Sequence, residues 1–174
     1  MPPCVDVYVW IQANDRASAL ATFIDRYVDT GNPGDPRFDA LVRVVVDERP
    51  APGDDDALAD LRRDADSINA FSIYLRAKSH YEAIVTVTEE GGLVLGLGID
   101  DPLNDPKVAV EAADLMADLK NEFHAVSGLA GVELAPPQSA PEWKEAELAT
   151  PRDATSEASR ATSGRGRADP SARP

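Results

Sequence analysis

The fold is decided by residues 81–106, which read YEAIVTVTEEGGLVLGLGIDDPLNDP. An alternating apolar run at 81–88 is followed by a Glu-Glu-Gly-Gly break at 89–92 and by a second apolar run at 93–99. Two such runs joined by a short connection containing glycine are typical of a β-hairpin. The aspartates that follow, together with Pro106, are typical of a helix start. The stretch therefore predicts strand, turn, strand and helix in direct succession.

Further elements are predicted on both sides of this hairpin. Alternation with a period of two at 4–12 predicts a strand, and apolar spacings of three and four residues predict helices at about 15–30 and after Pro106. The other predicted elements are strands at 40–46, 68–78 and 128–134 and a short helix that begins near 54. The order β-α-β-α-β-β-β-α-β predicts an α+β fold, with a largely antiparallel sheet of about five or six strands and two or three helices packed on it.

The chain divides into three parts by composition. Residues 1–137 carry the predicted elements and are expected to form a single α+β domain. Residues 138–149 keep Trp143 and Leu148 at a spacing that allows a short helix to dock on that domain. Residues 150–174 contain no large apolar side chain, so they cannot offset the entropy of ordering and are predicted to be disordered.

The charge is strongly negative and unevenly distributed. The chain has 31 acidic and 17 basic residues, a net charge of −14, and residues 150–174 alone carry five arginines against three acids. This balance opposes binding of nucleic acid or of an anionic membrane, and it suits a basic protein partner such as a nuclease. Solubility alone is the other explanation for such a surface. A nucleic-acid mimic is a third, but it needs carboxylates arrayed along one face, whereas most here lie in loops and at helix starts.

Cysteine usage and the absence of long apolar runs limit the class of protein further. Cys4 is the single cysteine, so neither an internal disulfide nor a Cys/His zinc site is expected. The first residues have no basic region ahead of a long apolar run, and no apolar stretch reaches about 18 residues. These features predict a cytoplasmic protein without membrane association.

The glycines of the second apolar run raise the question of a phosphate-binding loop. Such a loop places its glycines between a strand and a helix, whereas Gly96 and Gly98 lie inside the predicted strand and no Gly-Lys-Ser/Thr follows. The two glycines share one face of the strand and leave it flat, which favours close packing of a helix or of another backbone. The functional alternative is a strip where a partner or ligand approaches the strand.

Neither the acidic clusters nor the histidines match a known catalytic or metal motif. Asp100, Asp101, Asn104 and Asp105 lack the central glycine of a calcium loop, and capping of the next helix explains them, as a helix start explains Asp54 to Asp56. His80 and His124 are the candidate general bases, but no recognisable nucleophile accompanies them. We therefore predict no metal, no cofactor and no enzymatic activity.

Two segments carry a resemblance to a known class of proteins. The stretches DVYVWIQ at 6–12 and TVTEEGGLVLGLGIDD at 86–101 give residues 5–135 a profile that resembles the small acidic α+β immunity proteins which bacteria encode beside polymorphic secreted toxins. The resemblance implies a cytoplasmic protein without cofactor, an antitoxin that binds one cognate toxin and inhibits it through acidic and aromatic surface groups. It includes no catalytic residues.

The residues expected to bind such a partner are the exposed acidic clusters and an aromatic anchor. They are Asp54, Asp55, Asp56, Asp100, Asp101 and Trp10. The alternative is a small-molecule-binding protein or an enzyme of unknown reaction, with a pocket over the Gly96/Gly98 strand and His80 or a carboxylate in it.

Overall fold

A computed structural model describes residues 3–149, which contain one five-stranded sheet. Every neighbouring pair of strands is antiparallel, and the spatial order is β2-β3-β4-β1-β5. The strands are β1 (Cys4–Ile11), β2 (Phe71–Leu75), β3 (Glu82–Val87), β4 (Leu93–Asp100) and β5 (Gly128–Val132). The sheet is therefore a three-stranded meander, β2 to β4, to which β1 and β5 add at one edge.

Helices lie before, between and after the strands. They are α1 (Arg16–Tyr27), α2 (Phe38–Leu41), α3 (Asp54–Ala59), α4 (Pro106–Glu122) and α5 (Ala140–Ala149), with a 3-10 turn at Ala13–Asp15 and a π-helical turn at Val42–Val46. Within residues 3–149, no helix combines the length and apolar character needed to cross a bilayer.

One face of the sheet forms the main core. Side chains alternate between the faces of a strand, so β1 directs Val5, Val7, Val9 and Ile11 to one side and its even-numbered residues to the other. On this first face the strands pack against α1 and α4, with Leu20, Phe23 and Leu119 fully buried. Burial of this apolar area is the main stabilising contribution to the fold.

The opposite face is covered over only part of its area. A second apolar cluster forms there from Tyr8, Ile84, Val94, Leu129 and Trp143, the last of which belongs to α5. Residues 133–139, which we call the crossing segment, link β5 to α5 over this face. Its Glu133 N–H donates to the carbonyl of Cys4 at 2.9 Å, and the Gln138 side chain donates to Ser72 Oγ at 3.2 Å. The crossing segment therefore spans from β1 to β2.

The predicted hairpin and the helix after it are confirmed. Strands β3 and β4 pair in register from Glu82↔Gly98 to Val87↔Leu93, and Gly91 lies in the turn between them with a φ of +81°, which a glycine adopts easily. Helix α4 begins with Pro106, and the Asp105 carboxylate accepts the N–H of Lys107 at 2.9 Å. The α+β class and the antiparallel sheet are confirmed with it.

The strand predicted at 40–46 is wrong. This segment is helical, because α2 continues directly into the π-helical turn, which the Asp47 N–H closes by donating to the carbonyl of Val42 at 2.9 Å. Leu41 and Val45 are spaced by four residues and buried, so the segment presents a helical apolar face to the core. Packing of that face outweighs the β propensity of the valines.

The number of helices and their placement on the sheet also differ from the prediction. Two or three helices packed on the sheet were expected, whereas residues 3–149 hold five, and α5 lies on the face opposite α1 and α4. The strand predicted at 68–78 is limited to Phe71–Leu75. The disorder predicted for residues 150–174 concerns residues outside the described range.

Candidate partner-binding surface

The part of the second face beyond the crossing segment is lined by carboxylates and tyrosines. We call it the acidic–tyrosine surface. Tyr74 and Tyr81 are 49% and 42% exposed there, and the carboxylate of Asp100 is exposed as well. The surface consists of Cys4, Asp6, Tyr74, Tyr81, Glu82 and Asp100. These side chains come from four strands or strand ends, so only the folded sheet brings them together.

Strand register sets the two central carboxylates on either side of a glycine. Asp6 and Glu82 both pair with Gly98, one from each neighbouring strand. A Cβ atom on Gly98 would lie 3.2 Å from Glu82 Cγ and 3.3 Å from Asp6 Oδ1. Because Gly98 has no side chain, both carboxylates can lie close to the backbone of β4. This is the role of the glycine at this position of the strand.

Gly96, two residues before Gly98 in β4, makes room for an aromatic ring instead. The ring of Tyr8 lies directly over it, since a Cβ there would meet Tyr8 Cδ1 at 2.3 Å. The Tyr8 hydroxyl donates to the carbonyl of Leu134 in the crossing segment at 2.5 Å. Tyr8 therefore packs on the backbone at Gly96 and holds the crossing segment on the sheet by its hydrogen bond.

Asp6 is a buried carboxylate with few favourable partners. It is 4% exposed, and it receives the thiol of Cys4 at 3.5 Å and the backbone N–H of Leu134. Burial disfavours the charged form and raises the pKa of Asp6 to about 6, although both hydrogen bonds act in the opposite direction. Part of the population is therefore protonated near neutral pH.

The two side chains next to Asp6 also have raised pKa values. Burial first and the Asp6 carboxylate second raise the pKa of Glu82 above its ordinary value, and the same two causes raise the pKa of the Cys4 thiol to about 11. Within residues 3–149 none of the three forms an ion pair, whereas Asp35, Asp54, Glu122 and Glu142 are each paired with an arginine. No arginine or lysine of residues 3–149 therefore neutralises the carboxylates of the acidic–tyrosine surface by an ion pair.

The same three side chains have the spacing of metal ligands. The ligand atoms of Cys4, Asp6 and Glu82 all lie within 4.8 Å of one another. A thiolate and two carboxylates are a donor set suited to a divalent ion such as zinc. Sequence reasoning missed this group because Cys4 and Glu82 are far apart in the chain, and only the pairing of β1 and β3 with β4 joins them.

Two of the predicted partner-binding residues are buried and hydrogen-bonded within the fold. Asp54 is 4% exposed and accepts two hydrogen bonds from the Arg43 guanidinium, at 2.8 and 2.9 Å, which together with the Ala51 N–H lower its pKa to about 2. Asp101 is 6% exposed and accepts the N–H of Asp105 at 2.8 Å. Neither carboxylate is available to a partner.

The other predicted residues lie in three separate places. Asp55 and Asp56 are exposed at the start of α3, away from the open half of the second face, and Asp100 belongs to the acidic–tyrosine surface. Trp10 is half-buried and packs edge-on against Trp143, with ring centroids 5.4 Å apart. The predicted set therefore does not form one surface, and Asp100 alone joins the carboxylates described here.

The two histidines occupy different environments. His80 packs edge-on against Tyr27 at a centroid distance of 6.0 Å, and burial lowers its pKa. Its Nδ1 is buried without a hydrogen-bond partner among residues 3–149. His124 follows the last turn of α4 with a φ of +52°.

A cleft of about 600 Å³ lies on the other side of the molecule, between the π-helical turn, α3 and the β3–β4 hairpin. Val45, Leu58 and Phe71 contribute apolar surface to it, and Arg16 and Arg62 line it together with acidic side chains. The pocket expected over the Gly96/Gly98 strand is a separate location, and neither glycine lines this cleft.

Comparison with known proteins gives no relative: no family model, no curated protein and no solved structure matches this chain.

Proposed function

We propose that this protein is a non-enzymatic binding module whose acidic–tyrosine surface receives a basic segment of a partner protein. The single observation that carries the proposal is a sheet face left half open, on which the accessible Glu82 and Asp100 lie without an ion pair among residues 3–149, beside the buried carboxylate of Asp6. A lysine or arginine of a partner supplies the missing positive charge.

The tyrosines add to this preference for a cationic side chain. Tyr74 and Tyr81 are large exposed aromatics on the same surface as the carboxylates. Burial first, and then the negative charges of Glu82 and Asp6 and the Cys4 thiol, raise the pKa of Tyr74. A guanidinium or ammonium group held against an aromatic ring gains roughly 0.5–2 kcal/mol. Aromatic residues are also frequent among those that dominate binding energy at interfaces.

The cost of keeping Asp6 charged supports a role in binding. A buried carboxylate that hydrogen bonds only to a thiol and a backbone N–H reduces the stability of the isolated protein. A cationic partner reverses that effect, because it favours the ionised form of Asp6. The free energy of folding that the charged Asp6 loses is thus recovered in part when a cationic partner binds.

The specific form we propose is an immunity protein or antitoxin that binds a secreted toxin, for example a nuclease, in the cytoplasm and covers its active site. A nuclease binds polyanions and therefore presents basic side chains. The net charge of −14 accelerates association with such a partner by electrostatic steering.

Affinity capture with matched charge variants tests the proposal. Tagged wild-type protein and the variants Glu82→Lys, Asp100→Lys, Asp55→Lys and Asp56→Lys are incubated with lysate and secreted fraction of the native host, and bound proteins are identified by mass spectrometry. We expect one stoichiometric basic partner that is released at high salt. Glu82→Lys and Asp100→Lys are expected to lose it, while the controls at α3, which carry the same change in net charge, retain it.

Equal retention by all four variants would exclude the acidic–tyrosine surface. Equal loss by all four would show that only the net charge matters. Circular dichroism of each variant verifies that folding is unchanged.

A small-molecule-binding protein is the second candidate, and the cleft of about 600 Å³ favours it. Its volume lies in the range of ligand pockets, and its apolar wall edged by arginines and carboxylates suits a small amphipathic molecule with polar groups of both signs. A metabolite screen by thermal shift tests this. A ligand that raises the Tm of the wild type but not of Arg62→Gln would support the cleft, and a failure to find any ligand together with a captured partner would reject it.

A further inference from the structure

One group of side chains stands out by its spacing from all other acidic positions of the described chain. Cys4, Asp6 and Glu82 each offer a ligand atom, and these atoms lie within 4.8 Å of one another. Among residues 3–149, no other set of three histidine, cysteine, aspartate or glutamate side chains meets this spacing. The group combines a thiol with two carboxylates, so it differs in chemistry from the acidic clusters at helix starts.

The distances within the group suit a tetrahedral zinc ion. Zinc binds a thiolate sulfur at about 2.3 Å and a carboxylate oxygen at about 2.0–2.2 Å, which places two ligand atoms of one ion roughly 3.3–3.7 Å apart. Cys4 Sγ and Asp6 Oδ1 are 3.5 Å apart and therefore already have this separation. Glu82 is half-buried and has a longer side chain, so a change of its own torsions completes the set.

The backbone brings the three ligands together from both sides of one strand. Cys4 and Asp6 are two residues apart in β1 and project to the same face of the sheet, and Asp6 and Glu82 both pair with Gly98 of β4. A Cβ atom on Gly98 would lie 3.3 Å from Asp6 Oδ1 and 3.2 Å from Glu82 Cγ. A residue with a side chain at position 98 would thus fill the space between the two carboxylates.

The burial of Asp6 is an observation independent of this spacing. Its side chain is 4% exposed, it forms no ion pair within residues 3–149, and outside the group it receives only the backbone N–H of Leu134. A carboxylate has about four acceptor sites, and its charge is unfavourable in a buried place unless it is paired or bound to a metal. Exposed carboxylates elsewhere in the chain are solvated by water, whereas Asp6 needs a cation.

The donor set selects zinc over the harder divalent ions. Magnesium and calcium prefer oxygen ligands throughout, whereas zinc binds thiolate sulfur and carboxylate oxygen together. Coordination requires the thiolate form of Cys4, so its proton passes to solvent when the ion binds. The Leu134 N–H orients Asp6, as hydrogen-bond donors behind metal ligands commonly do. Three protein ligands leave the fourth position of the ion to water.

We propose that Cys4, Asp6 and Glu82 bind one Zn²⁺ ion, which joins β1 to β3 across β4 and compensates the buried charge of Asp6. The metal site goes beyond the proposed function and does not depend on it, because it concerns the isolated chain. It replaces the expectation of no metal, which was based on motifs in short stretches of sequence. Strand pairing assembles this group from residues that are far apart in the chain.

Titration with zinc alone tests the site in the full chain. The protein is reduced and freed of metal with EDTA, the EDTA is removed, and ZnCl₂ is titrated at neutral pH by isothermal titration calorimetry. Cys4→Ser, Asp6→Asn and Glu82→Gln each remove one ligand. Asp56→Asn, at an exposed carboxylate of α3, is the control for a change of one charge. Circular dichroism of each zinc-free variant verifies that it is folded.

We expect one zinc ion per chain in wild type and in Asp56→Asn. Each ligand variant should bind zinc at least about 10-fold more weakly, because even a residue that only orients a ligand contributes about 10- to 100-fold. At about 100 times its dissociation constant, zinc should raise the Tm of the wild type by roughly 5–10 °C, and this rise should be lost in the ligand variants. The same concentration of Mg²⁺ should leave the Tm unchanged.

Cobalt provides a readout of the Cys4–metal bond itself. Co²⁺ bound by a thiolate absorbs in the near ultraviolet by charge transfer, so we expect this band in wild type and Asp56→Asn and its absence in Cys4→Ser. Equal zinc binding by wild type and all three ligand variants would overturn the proposal, as would no binding at millimolar zinc. Binding that is lost in Cys4→Ser but unchanged in Asp6→Asn and Glu82→Gln would also overturn it, because a lone thiol would then hold the metal.

Discussion

Asp6 shows how a single position can oppose stability and serve binding. Its neighbours in the strand alternate toward the apolar core, so the register leaves no other face for its carboxylate than the second face of the sheet. There it meets Cys4, Glu82 and the crossing segment rather than water. A carboxylate in such a place is retained at a cost in folding free energy, which is typical of residues that interact with a partner or ligand.

We expect Asp6→Asn to stabilise the protein at neutral pH. The folded pKa of about 6 exceeds the ordinary 3.8, so the folded state binds more protons between these values and the stability of the wild type falls as pH rises through that window. Asparagine keeps an acceptor for the Leu134 N–H without the charge. At pH 7.5 the variant should gain about 1–3 kcal/mol, and at pH 4 the two should be nearly equal.

Urea denaturation from pH 4 to 8 measures this difference. Asp100→Asn on the same surface is the control, and because Asp100 is exposed its change should stay below about 0.5 kcal/mol at every pH. A destabilised Asp6→Asn at pH 7.5 would show that the carboxylate is stabilised in the folded protein and would contradict the account of its burial.

Gly96 and Gly98 differ in what a side chain would meet. At Gly96 an added methyl group collides with the ring of Tyr8, which would have to move and release the crossing segment, whereas at Gly98 it meets movable ends of Glu82 and Asp6 above 3 Å. We expect Gly96→Ala to lose about 1–3 kcal/mol of stability and Gly98→Ala clearly less. The midpoint of urea unfolding distinguishes the two, and equal losses would argue against the role given to Tyr8.

Among the elements, α5 determines which part of the second face remains open. It covers Tyr8, Val94 and Leu129 through Trp143, and the crossing segment ahead of it is tied to Cys4, Tyr8 and Ser72. The uncovered remainder is the acidic–tyrosine surface. Its carboxylates Asp6 and Glu82 lie in the next row along the strands from Tyr8 and Ile84, beyond the apolar cluster that Trp143 joins.

We expect Trp143→Ala to detach α5 and to cost roughly 3–5 kcal/mol of stability, the range for removal of a large buried aromatic. Trp143 is 5% exposed, while Leu148 in the same helix is 84% exposed, so Leu148→Ala serves as the control with a change near zero. Near-ultraviolet circular dichroism follows the Trp10–Trp143 pair, and guanidinium denaturation measures the stability. A small loss in Trp143→Ala would show that α5 contributes little to the fold.

At the scale of the whole molecule, charge and apolar burial are distributed separately. Residues 150–174 contain five arginines, three acidic residues and no large apolar side chain, whereas the first 150 residues carry a charge of −16. Large apolar side chains for a core are therefore expected from the first part of the chain alone.

Removal of residues 150–174 is expected to change the Tm by no more than about 2 °C, because the segment contains no large apolar side chain that could join a core. Differential scanning calorimetry of the full chain and of the shortened chain measures the change. A loss of many degrees would show that the segment packs into the fold and would contradict this prediction.

The sequence by itself determined the hairpin, the start of α4 and the α+β class. These features depend on local signals: alternation at 81–88 and 93–99, the connection at 89–92, and Asp105 followed by Pro106. Each is a property of a few adjacent residues whose backbone preferences agree with the final fold. The tertiary structure was not needed to recognise them.

Tertiary structure alone decided the helix at 40–46 and the candidate surface. The valines at 42–46 form a π-helical turn because Leu41 and Val45 pack into the core, and local propensity does not contain that information. Cys4, Asp6 and Glu82 become neighbours only through β4, and Asp54 was lost from the predicted set because Arg43 folds back onto it. Sites of this kind depend on which strands pair and on what covers each face, and those are long-range contacts that a single sequence does not display.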